Sequence, residues 1–574
     1  MKNREVADLL NRFGTLLEIK DENFFKVRAY YKAAEAIESI GEDIEVMAKE
    51  GRLSEIPGIG IALADKIKEF LTTGKVKAYQ ELTRDVPESL LEVVNIPTIG
   101  PKEAKLFYDR LKIKSADDLS EAVYGGKLEG LPGIQEKTIE NIKRGLKIIR
   151  EGQERMNIGH ASEIAEEFVA ALKKMPEVKE VSLGGSLRRM KETIRDIDIL
   201  IDSTNPKKVM ERFVHMPQVK SVNAHGDTKS SILTKDNVQV DVRVVEPKSF
   251  GAALLYFTGS KNFNVKLRQI AIKKKMKVNE YGIFNVKGGK EKFIVGKGEA
   301  ECLKALGLPY IPPELREDIG ETELFSGRPL PKLIELKDIR GDLHCHSTWS
   351  DGRNTIAEMA EAARRLGYDY LCMSDHSPRL RVAGGVSPEN LKKKKKEIDL
   401  LNKKSKGFRI LFGTEVEIDT EGNLDYNESI LSGFDFVIGA IHSGFEQSRA
   451  QLTKRLVKAC GNKHVNAIAH PTGRHIGKRD PYDIDLKEVC RAAVDTNTCL
   501  EINSFPIRLD LDSANIYFAR SLGVKFTVNT DSHSVDHLRY MKFGVALARR
   551  GWLRKQDVVN CLSLGELEKA LKKS

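Results

Sequence analysis

The sequence has no long hydrophobic run and few cysteines. No apolar stretch approaches the ~18 residues that a membrane-spanning helix needs, and the N-terminus is rich in Lys, Asp and Glu rather than signal-like. The seven cysteines are scattered and form no Cys-x-x-Cys pair, which argues against a disulfide scaffold and indicates reduced thiols. We therefore expect a cytoplasmic protein without a membrane partner.

Charge, by contrast, is abundant. Asp, Glu, Lys and Arg make up 31% of the 574 residues, and the net charge is +11 with a pI near 9.0. Such a basic balance suits a polyanionic partner, and the length predicts three or four domains.

A glycine-rich turn organises the first half of the chain. Residues 181–183 are predicted to form a short strand, and residues 184–189 read Gly-Gly-Ser-Leu-Arg-Arg. Two glycines and a serine can bend the backbone so that its N–H groups approach a phosphate, and the two arginines follow directly. This segment is a candidate phosphate site.

Three aspartates lie on two strands predicted next to this turn. In residues 195–201 the strand period of two puts Asp196 and Asp198 on one face and the isoleucines on the other, and residues 238–245 carry Asp241 on an alternating strand. Alone, an Asp-x-Asp pattern is more often a solvated strand face. Because adjacent carboxylates repel, Mg²⁺ or Mn²⁺ is the natural counter-charge, which predicts a two-metal site for nucleotidyl transfer.

Further downstream, residues 256–260 read Tyr-Phe-Thr-Gly-Ser and residues 279–281 read Asn-Glu-Tyr. With these segments the chain, from its start to about residue 318, resembles the family X DNA polymerases of the beta type. The resemblance implies a DNA polymerase that fills short gaps in base excision repair. Its expected substrates are gapped or primed double-stranded DNA and deoxynucleoside triphosphates.

The resemblance also assigns roles to single residues. Asp196, Asp198 and Asp241 would be the catalytic metal ligands, Arg243 would gate Asp241, and Arg268 would touch the template strand. The residues that would bind the nucleotide are Gly185, Ser186, Arg189, Tyr256, Phe257, Gly259 and Asn264. Near the candidate phosphate site, Met190 and Arg195 depart from the beta-type pattern, since they stand where glycines are usual.

Short glycine motifs in the N-terminal region predict contacts with the DNA backbone. Residues 56–60 read Ile-Pro-Gly-Ile-Gly before a predicted helix, and residues 96–102 and 131–135 echo this pattern. An apolar-Gly-apolar-Gly turn that opens a helix is typical of a helix-hairpin-helix motif. Gln135 replaces the second glycine of the third copy, so a purely structural turn is favoured there. The predicted DNA-binding residues are Gly58, Gly60, Ile99, Gly100 and Lys102.

A second activity of the N-terminal region is left open. The resemblance places a lyase nucleophile, which would remove a 5′-deoxyribose phosphate through a Schiff base, on Lys66. Such a lysine needs neighbouring cations or burial to lower its pKa. Ala62 and Tyr31 occupy positions where beta-type enzymes carry basic residues, so a solvated or phosphate-contacting lysine is the alternative.

From residue 337 onwards, predicted strands alternate with helices, which is typical of an α/β barrel. Histidines and carboxylates stand at the predicted strand ends, and in a barrel these ends share one rim. Such a set can hold up to three ions of Mn²⁺ or Zn²⁺. The nine candidate ligands are His344, His346, Asp351, His376, Glu415, His442, His470, Asp531 and His533. Cys345 is expected to pack away from them, and residues 392–396, a run of lysines, to form a solvated helix face.

This C-terminal part resembles the PHP (polymerase and histidinol phosphatase) domain. The resemblance implies hydrolysis of phosphate esters by a 3′-5′ exonuclease, with 3′-phosphatase or abasic endonuclease activity as further options and Arg474 as a phosphate contact. Two alternatives stay open, namely a structural module stabilised by metal and a small-molecule phosphatase. For the first half of the chain, the alternative is a nucleotidyltransferase that does not act on DNA.

The expected architecture is multidomain. An all-α helix-hairpin-helix domain precedes an α+β nucleotidyltransferase palm with helical fingers and an α/β thumb, and a distorted (α/β)7 PHP barrel follows. We expect a monomer, associated with the nucleoid through DNA. The predicted boundaries are 1–85 for the lyase-like helical domain, 86–150 for the fingers with the second hairpin, 151–258 for the palm, 259–318 for the thumb, 319–336 for a linker and 337–574 for the barrel.

Overall fold

The structure is a computed structural model that describes residues 2–39, 43–56, 58–94, 96, 99–136, 138–140, 142–143, 146, 155–318, 330–380 and 383–571. Most of the predicted linker, residues 319–329, lies outside the described residues, as does Pro57 of the first glycine motif. Two compact units are present. One comprises Met1–Arg155, Met175–Ser182 and Ile199–Gly307, and the other Met156–Lys174, Leu183–Asp198 and Leu308–Ser574.

The N-terminal region of the first unit is helical around one apolar core. Apolar residues at spacings of three and four in the sequence predict helices over 4–18, 24–39, 42–50 and 61–72. The structure confirms them within about two residues, which is the usual spread of helix ends. Leu10, Leu16, Ile37 and Phe107 are among the residues that fill this core. The helices are α1 (Lys2–Ile19), α2 (Phe24–Ser39), α3 (Ile44–Lys49), α4 (Ile61–Thr73), α5 (Lys77–Asp85), α6 (Leu90–Val94), α7 (Pro101–Leu111) and α8 (Ala116–Tyr124).

Residues 156–305 contain both strands and helices. In chain order they are β1 (Met156–Asn157), α9 (Ile158–Lys173), β2 (Val178–Leu183), α10 (Gly185–Arg188), β3 (Thr193–Ile194), β4 (Asp196–Ser203), α11 (Pro206–Val214), β5 (Val219–His225), β6 (Lys229–Thr234), β7 (Gln239–Val245), α12 (Phe250–Thr258), α13 (Lys261–Lys273), β8 (Met276–Asn279), β9 (Gly282–Lys287), β10 (Lys290–Val295) and α14 (Glu299–Ala305).

These strands form three sheets. The largest has the order β2-β4-β7-β6-β5, and β8, β9 and β10 form an antiparallel meander. β1 pairs with β3 in a short antiparallel ribbon. The predicted alternation is confirmed along β7, where Val240, Val242 and Val244 are buried while Asp241 and Arg243 are half-buried.

The second unit contains a parallel barrel. Its elements are β11 (Gly341–Cys345), α15 (Ile356–Arg365), β12 (Tyr370–Met373), α16 (Pro388–Lys404), β13 (Arg409–Glu417), α17 (Glu428–Leu431), β14 (Phe436–Ala440), α18 (Arg449–Cys460), β15 (Ala467–Ile468), α19 (Leu486–Asp495), β16 (Cys499–Asn503), α20 (Ser513–Ser521), β17 (Phe526–Asn529), α21 (Met541–Arg550) and α22 (Leu564–Ala570).

Its seven strands pair in sequence order from β11 to β17, and every pairing is parallel. A bridge between Cys345 and Ser532 joins the first strand to the segment after the last, so the barrel is nearly closed. The strands are buried on both faces, as expected when helices cover a parallel sheet. The predicted distorted barrel is therefore confirmed. Among the described residues, no helix is both long and apolar enough to span a bilayer.

One expectation for α16 is wrong. Within its lysine run, Lys392, Lys393 and Lys396 are exposed as predicted, but Lys394 is fully buried. Its ammonium lies 2.9 Å from the carboxylate of Asp375 and donates to the carbonyl oxygens of Met373 and Gly413. Three partners, one in β12, one just after β12 and one in β13, explain why a lysine is tolerated there.

Candidate active sites

The barrel rim brings the predicted histidines and carboxylates together. Seven of the nine follow the carboxyl ends of the strands, whereas His344 lies within β11 and Glu415 within β13. Cys345 is buried and packs near Thr530, as expected for the residue between two ligands that face the other way. The sequence pattern therefore identified this cluster.

Glu415 is the centre of the cluster. Its two carboxylate oxygens lie 2.8 Å from Nδ1 of His376, 3.0 Å from Nε2 of His470, and 3.3 Å from Nε2 of both His442 and His344. Only 1% of the side chain is exposed. A single buried carboxylate therefore bridges imidazoles from four different strand ends.

Two aspartates complete the outer part of the rim. Oδ1 of Asp531 lies 3.2 Å from Nε2 of His346, and Oδ2 of Asp351 lies 3.3 Å from Nε2 of His533. Asp351 also lies 3.6 Å from Nε2 of His376, so it faces two imidazoles. With a third of its side chain exposed, Asp351 is the most exposed of the nine candidate ligands.

The pKa values show how strongly these groups interact. Burial alone would lower the pKa of His376, but the nearby charges of Glu415 and Asp351 raise it to about 10. Burial would raise the pKa of Glu415, yet His376, His344 and His442 hold that pKa well below its usual range. His346 differs, because burial and then the neighbouring His533 and His376 lower its pKa to about 4.

Two carboxylates that the sequence patterns did not predict orient the histidines from behind. Glu501 lies 2.7 Å from Nδ1 of His344 and accepts the backbone N–H of His470, and Glu417 lies 2.7 Å from Nδ1 of His442. Such contacts fix the tautomer of a ligating histidine. Glu501 could have been identified from the sequence, because it is an acidic residue inside the apolar strand β16.

The cluster fits divalent metal ions. Among the described residues, Nε2 of His344, both ring nitrogens of His346 and Nδ1 of His470 are buried without a hydrogen bond, although they are strong ligand atoms. Three sets bring their ligand atoms within 4.8 Å of one another. They are His346, Asp351, His376 and His533; His344, His346 and Asp531; and His376, Glu415 and His442.

A cation that the sequence patterns did not identify lies beside the cluster. Arg508 contributes to the wall of the rim cavity, and its Nε lies 3.2 Å from Oδ2 of Asp531. Arg474, which was expected to contact phosphate, instead donates to Glu192 and to the carbonyl oxygens of Arg508 and Leu509. Arg508 is thus the arginine beside the candidate ligands.

The buried Lys394–Asp375 pair supports the same rim. Burial would raise the pKa of Asp375, but Lys394 beside it holds this pKa at about 2. The Asp375 carboxylate accepts the backbone N–H of Ser347 at 2.7 Å and the hydroxyl of Ser350 at 2.8 Å. It therefore anchors the segment that directly follows His346.

The glycine turn of the second unit approaches one of the predicted catalytic aspartates. Gly185 has a φ of +59°, and a Cβ there would lie 2.2 Å from Oδ2 of Asp198. A larger residue at this position would be strained and would displace the Asp198 carboxylate. Met190 also has a positive φ, of 53°, so the residue that replaces a usual glycine keeps the conformation that glycine favours.

Two charged residues of this segment are paired. Arg195, which is largely exposed, places a guanidinium nitrogen 3.2 Å from Oδ2 of Asp196. Nε of Arg189, expected to bind the triphosphate, donates to Glu317 at 2.9 Å. Arg189 therefore meets a carboxylate of its own unit.

In the first unit, the residues predicted for nucleotide and template contacts lie in α12 and α13 or at their junction, and β7 carries Asp241 and Arg243. Gln239 donates to both oxygens of Asp241, at 3.1 and 3.3 Å. The guanidinium of Arg243 stacks over Phe257, 4.4 Å from the ring centre.

The side chains of Tyr256, Asn264 and Arg268 border one small cavity of this unit. Asn264 donates to the carbonyl oxygen of Tyr256 at 2.7 Å, and Arg268 follows it by one helical turn on the exposed face of α13. Gly259 ends α12 with a positive φ of 62°.

The three hairpin motifs share one backbone turn. Ile59 donates to Ile56 at 3.0 Å, Ile99 to Ile96 at 3.0 Å, and Ile134 to Leu131 at 3.1 Å. The third motif, which has Gln135 in place of the second glycine, therefore forms the same turn as the two motifs that keep this glycine.

The exposure of the predicted DNA contacts differs. Gly58, Gly60 and Lys102 are exposed, and Gly100 is half-buried at the start of α7. The side chain of Ile99 is buried, so in this structure it supports the turn.

Among the described residues, the predicted lyase residue Lys66 makes one polar contact. Lys66 is half-buried in α4, and its Nζ donates to the carbonyl oxygen of Ala62 at 3.0 Å. Lys32 packs near Gly58, because the Cβ of Lys32 lies 3.8 Å from the point that a Cβ on Gly58 would occupy.

Three features define the class of this protein. They are the helical hairpins, a sheet with aspartates on two strands, and a parallel barrel with candidate metal ligands at its rim. Together they indicate a multidomain enzyme of nucleic-acid metabolism. Family models agree with this description. The helix-hairpin-helix domain matches residues 1–76, the SAM-like helix-hairpin-helix tandem 90–147, the DNA polymerase beta thumb 253–317 and the PHP domain 342–504.

Similar proteins extend this result to the full length. The DNA polymerase/3′-5′ exonuclease PolX of Bacillus subtilis (strain 168) is 40% identical over 576 residues, which cover 100% of both chains. A probable phosphatase of Thermoanaerobacter sp. (strain X514) is 34% identical over 40% of this chain and 94% of its own. DNA polymerase lambda of Rattus norvegicus is 27% identical over 55% of this chain and 56% of its own. The chain belongs to the family X DNA polymerases that carry a C-terminal PHP domain.

Proposed function

We propose that this enzyme fills short gaps in DNA during base excision repair and trims DNA 3′ ends with its barrel. As a member of its family, the chain is a DNA polymerase with a 3′-5′ exonuclease, it acts on DNA and deoxynucleoside triphosphates, and it depends on divalent metal ions. The observation that carries the proposal is the coexistence of a full set of barrel ligands with the aspartates and glycine turn of the sheet region.

Polymerisation is assigned to Asp196, Asp198 and Asp241. β4 and β7, the strands that hold these aspartates, are neighbours in the sheet order. Mg²⁺ or Mn²⁺ suits three carboxylates. Gly185 and Ser186 would receive the triphosphate of the incoming nucleotide, together with Arg189.

The other residues of the polymerase region, which precedes the barrel, are assigned from the family resemblance. Tyr256, Phe257 and Gly259 would pack on the sugar, and Asn264 and Arg268 would contact the nascent base pair and the template. The hairpin residues Gly58, Gly60, Gly100 and Lys102 would clamp the DNA backbone, with Ile99 behind them. Lys66 stays the candidate lyase nucleophile. The domain boundaries given above, a monomeric state and a cytoplasmic location are part of the same proposal.

Phosphate-ester hydrolysis is assigned to the barrel rim. The nine ligands would hold up to three ions, and their mixture of imidazole and carboxylate favours Mn²⁺ or Zn²⁺. When bound, these ions would supply Lewis-acid polarisation of the ester and activation of the attacking water. Arg508, beside Asp531, would hold the phosphate that is cleaved, and Glu501 and Glu417 would keep the histidines in their ligating tautomer.

A second candidate function for the barrel is hydrolysis of small phosphate monoesters. It is favoured by the similarity to the probable phosphatase of Thermoanaerobacter sp., which aligns with 40% of this chain over 94% of its own length. A purely structural metal module is the remaining alternative. The complete set of nine candidate ligands argues against it, and metal-dependent melting without any turnover would support it.

A substrate panel separates these functions. With Mn²⁺ or Zn²⁺ present, we expect release of mononucleotides from a 5′-labelled oligonucleotide and slower hydrolysis of p-nitrophenyl phosphate. A 3′-phosphorylated strand and an abasic duplex test the two additional activities. Hydrolysis of p-nitrophenyl phosphate without any shortening of DNA would instead identify a small-molecule phosphatase.

The gap-filling part has its own comparison. A one-nucleotide gap with a 5′-phosphate should be filled faster than an open primer-template of the same sequence. Equal rates on both substrates would contradict a repair role.

A further inference from the structure

Arg189, the predicted triphosphate ligand, is held by residues from the C-terminal part of the same unit. Its Nε donates to Oε1 of Glu317 at 2.9 Å, and each of the two side chains is 13% exposed. An ion pair shielded from water to this extent is stronger and less mobile than a surface pair. The guanidinium of Arg189 is therefore restrained before any nucleotide binds.

A second arginine completes this arrangement. Arg550 is the last residue of α21, in the C-terminal barrel half of the chain (residues 337–574), and it is nearly fully buried. Its Nη1 donates to the carbonyl oxygen of Arg189 at 2.9 Å, to Oε1 of Glu317 at 3.2 Å and to the carbonyl oxygen of Glu314 at 3.3 Å. Arg550 thus contacts both the backbone of Arg189 and the carboxylate that Arg189 binds.

The charges of the trio favour this role. Two guanidinium groups share one carboxylate, so the group keeps one net positive charge. Burial would raise the pKa of Glu317, but Arg189 and Arg550 keep it lowered, so the carboxylate is ionised at neutral pH. The surplus positive charge suits a phosphate-binding turn.

The neighbouring Arg549 has a similar setting but another target. Its Nε donates to Glu314 at 2.8 Å, and one Nη donates to the carbonyl oxygen of Ile334. None of its described contacts reaches the residues of the glycine turn. Arg549 is therefore a matched control for Arg550.

We propose that Glu317 and Arg550 are positioning residues for nucleotide binding, and that they hold Arg189 in place for the phosphates of the incoming nucleotide. A helix of the barrel half would in this way contribute to the polymerase reaction. The inference rests on the proposed function of Arg189.

The test measures nucleotide KM and kcat on a gapped duplex, together with nucleotide-free shortening of a 5′-labelled single strand. The full-length variants are Arg189→Ala, Glu317→Gln, Arg550→Ala, Arg550→Lys and the control Arg549→Ala. For Glu317→Gln and Arg550→Ala we expect KM to rise about tenfold with kcat near that of the wild type, since a charge-assisted hydrogen bond contributes on that order. Arg550→Lys should recover part of the loss, and all variants should shorten the single strand normally.

The outcomes distinguish the proposed role of Arg189 from the positioning role of Glu317 and Arg550. If Arg189→Ala leaves KM unchanged, the proposed role of Arg189 fails. If Arg189→Ala raises KM while Glu317→Gln and Arg550→Ala behave like Arg549→Ala, the positioning role is overturned. A lower KM in Glu317→Gln would also overturn it, because Glu317 would then compete with the phosphates. Should Arg550→Ala lose exonuclease activity through misfolding, the isosteric Glu317→Gln decides.

Discussion

Replacing Lys394 by methionine removes the ammonium group of a fully buried lysine and keeps the length of its apolar stem. The ammonium is the only described cation in contact with the Asp375 carboxylate, which is itself buried. Methionine leaves this carboxylate and the carbonyl oxygens of Met373 and Gly413 without that donor. The substitution therefore tests whether the buried pair supports the rim.

The expected loss in the free energy of unfolding follows from the contacts of the buried pair. Breaking a buried ion pair by removing one partner typically costs about 3–5 kcal/mol, because the remaining charge stays buried and uncompensated. Asp375 retains hydrogen bonds from Ser347 and Ser350, so we expect about 3 kcal/mol, at the lower end of that range. Lys393→Met on the exposed face of the same helix should cause no measurable change.

Tryptophan fluorescence in urea measures this effect selectively. The two tryptophans of the chain, Trp349 and Trp552, both lie in the barrel half, so their signal follows the unfolding of that part. The free energy of unfolding comes from linear extrapolation to zero denaturant. If Lys394→Met unfolds at the same urea concentration as Lys393→Met, the reasoning about the buried pair is refuted.

Three further predictions concern the two active sites. Arg508→Ala should slow the exonucleolytic shortening of DNA by about 10²- to 10³-fold at saturating substrate, the usual effect of losing one preorganised donor. In the same initial-rate assay Arg449→Ala, which removes the exposed partner of Asp485, should stay close to the wild type. Equal rates for Arg508→Ala and Arg449→Ala would argue against Arg508. Addition of Mn²⁺ at about 100 times its dissociation constant should stabilise the barrel by about 2.7 kcal/mol, and EDTA should reverse this. A urea midpoint that is the same with Mn²⁺ and with EDTA would contradict the metal assignment. Gly185→Ala should reduce nucleotide incorporation at least ~10²-fold, because the new Cβ collides with Asp198 and displaces it, while shortening of DNA continues. Normal incorporation by this variant would show that the close approach is not required.

Much of this architecture could be predicted from local patterns. Apolar spacing predicted the N-terminal helices, and the alternation in β4 and β7 predicted which faces carry Asp196, Asp198 and Asp241. The barrel ligands were predictable because nearly all of them follow a strand, and parallel strand ends share a rim.

The residues behind the ligands could not be predicted in the same way. Glu501 meets His344 across 157 positions of sequence, and this contact exists only once the barrel closes. Lys394 is one of five successive lysines, and only the packing of α16 against β13 distinguishes it from its exposed neighbours. Arg474 and Arg508 illustrate the same limit, because loop geometry decides which of them faces the rim.

The central claim is that one chain carries two catalytic centres with separate residues. Its most direct test follows a 5′-labelled primer on a gapped duplex with Mn²⁺, with and without nucleotides. The wild type, Asp196→Ala/Asp198→Ala and His344→Ala/His346→Ala are run side by side. We predict that extension disappears only in the aspartate variant and shortening only in the histidine variant. Loss of both activities in either variant, or shortening that survives in the histidine variant, would contradict the account.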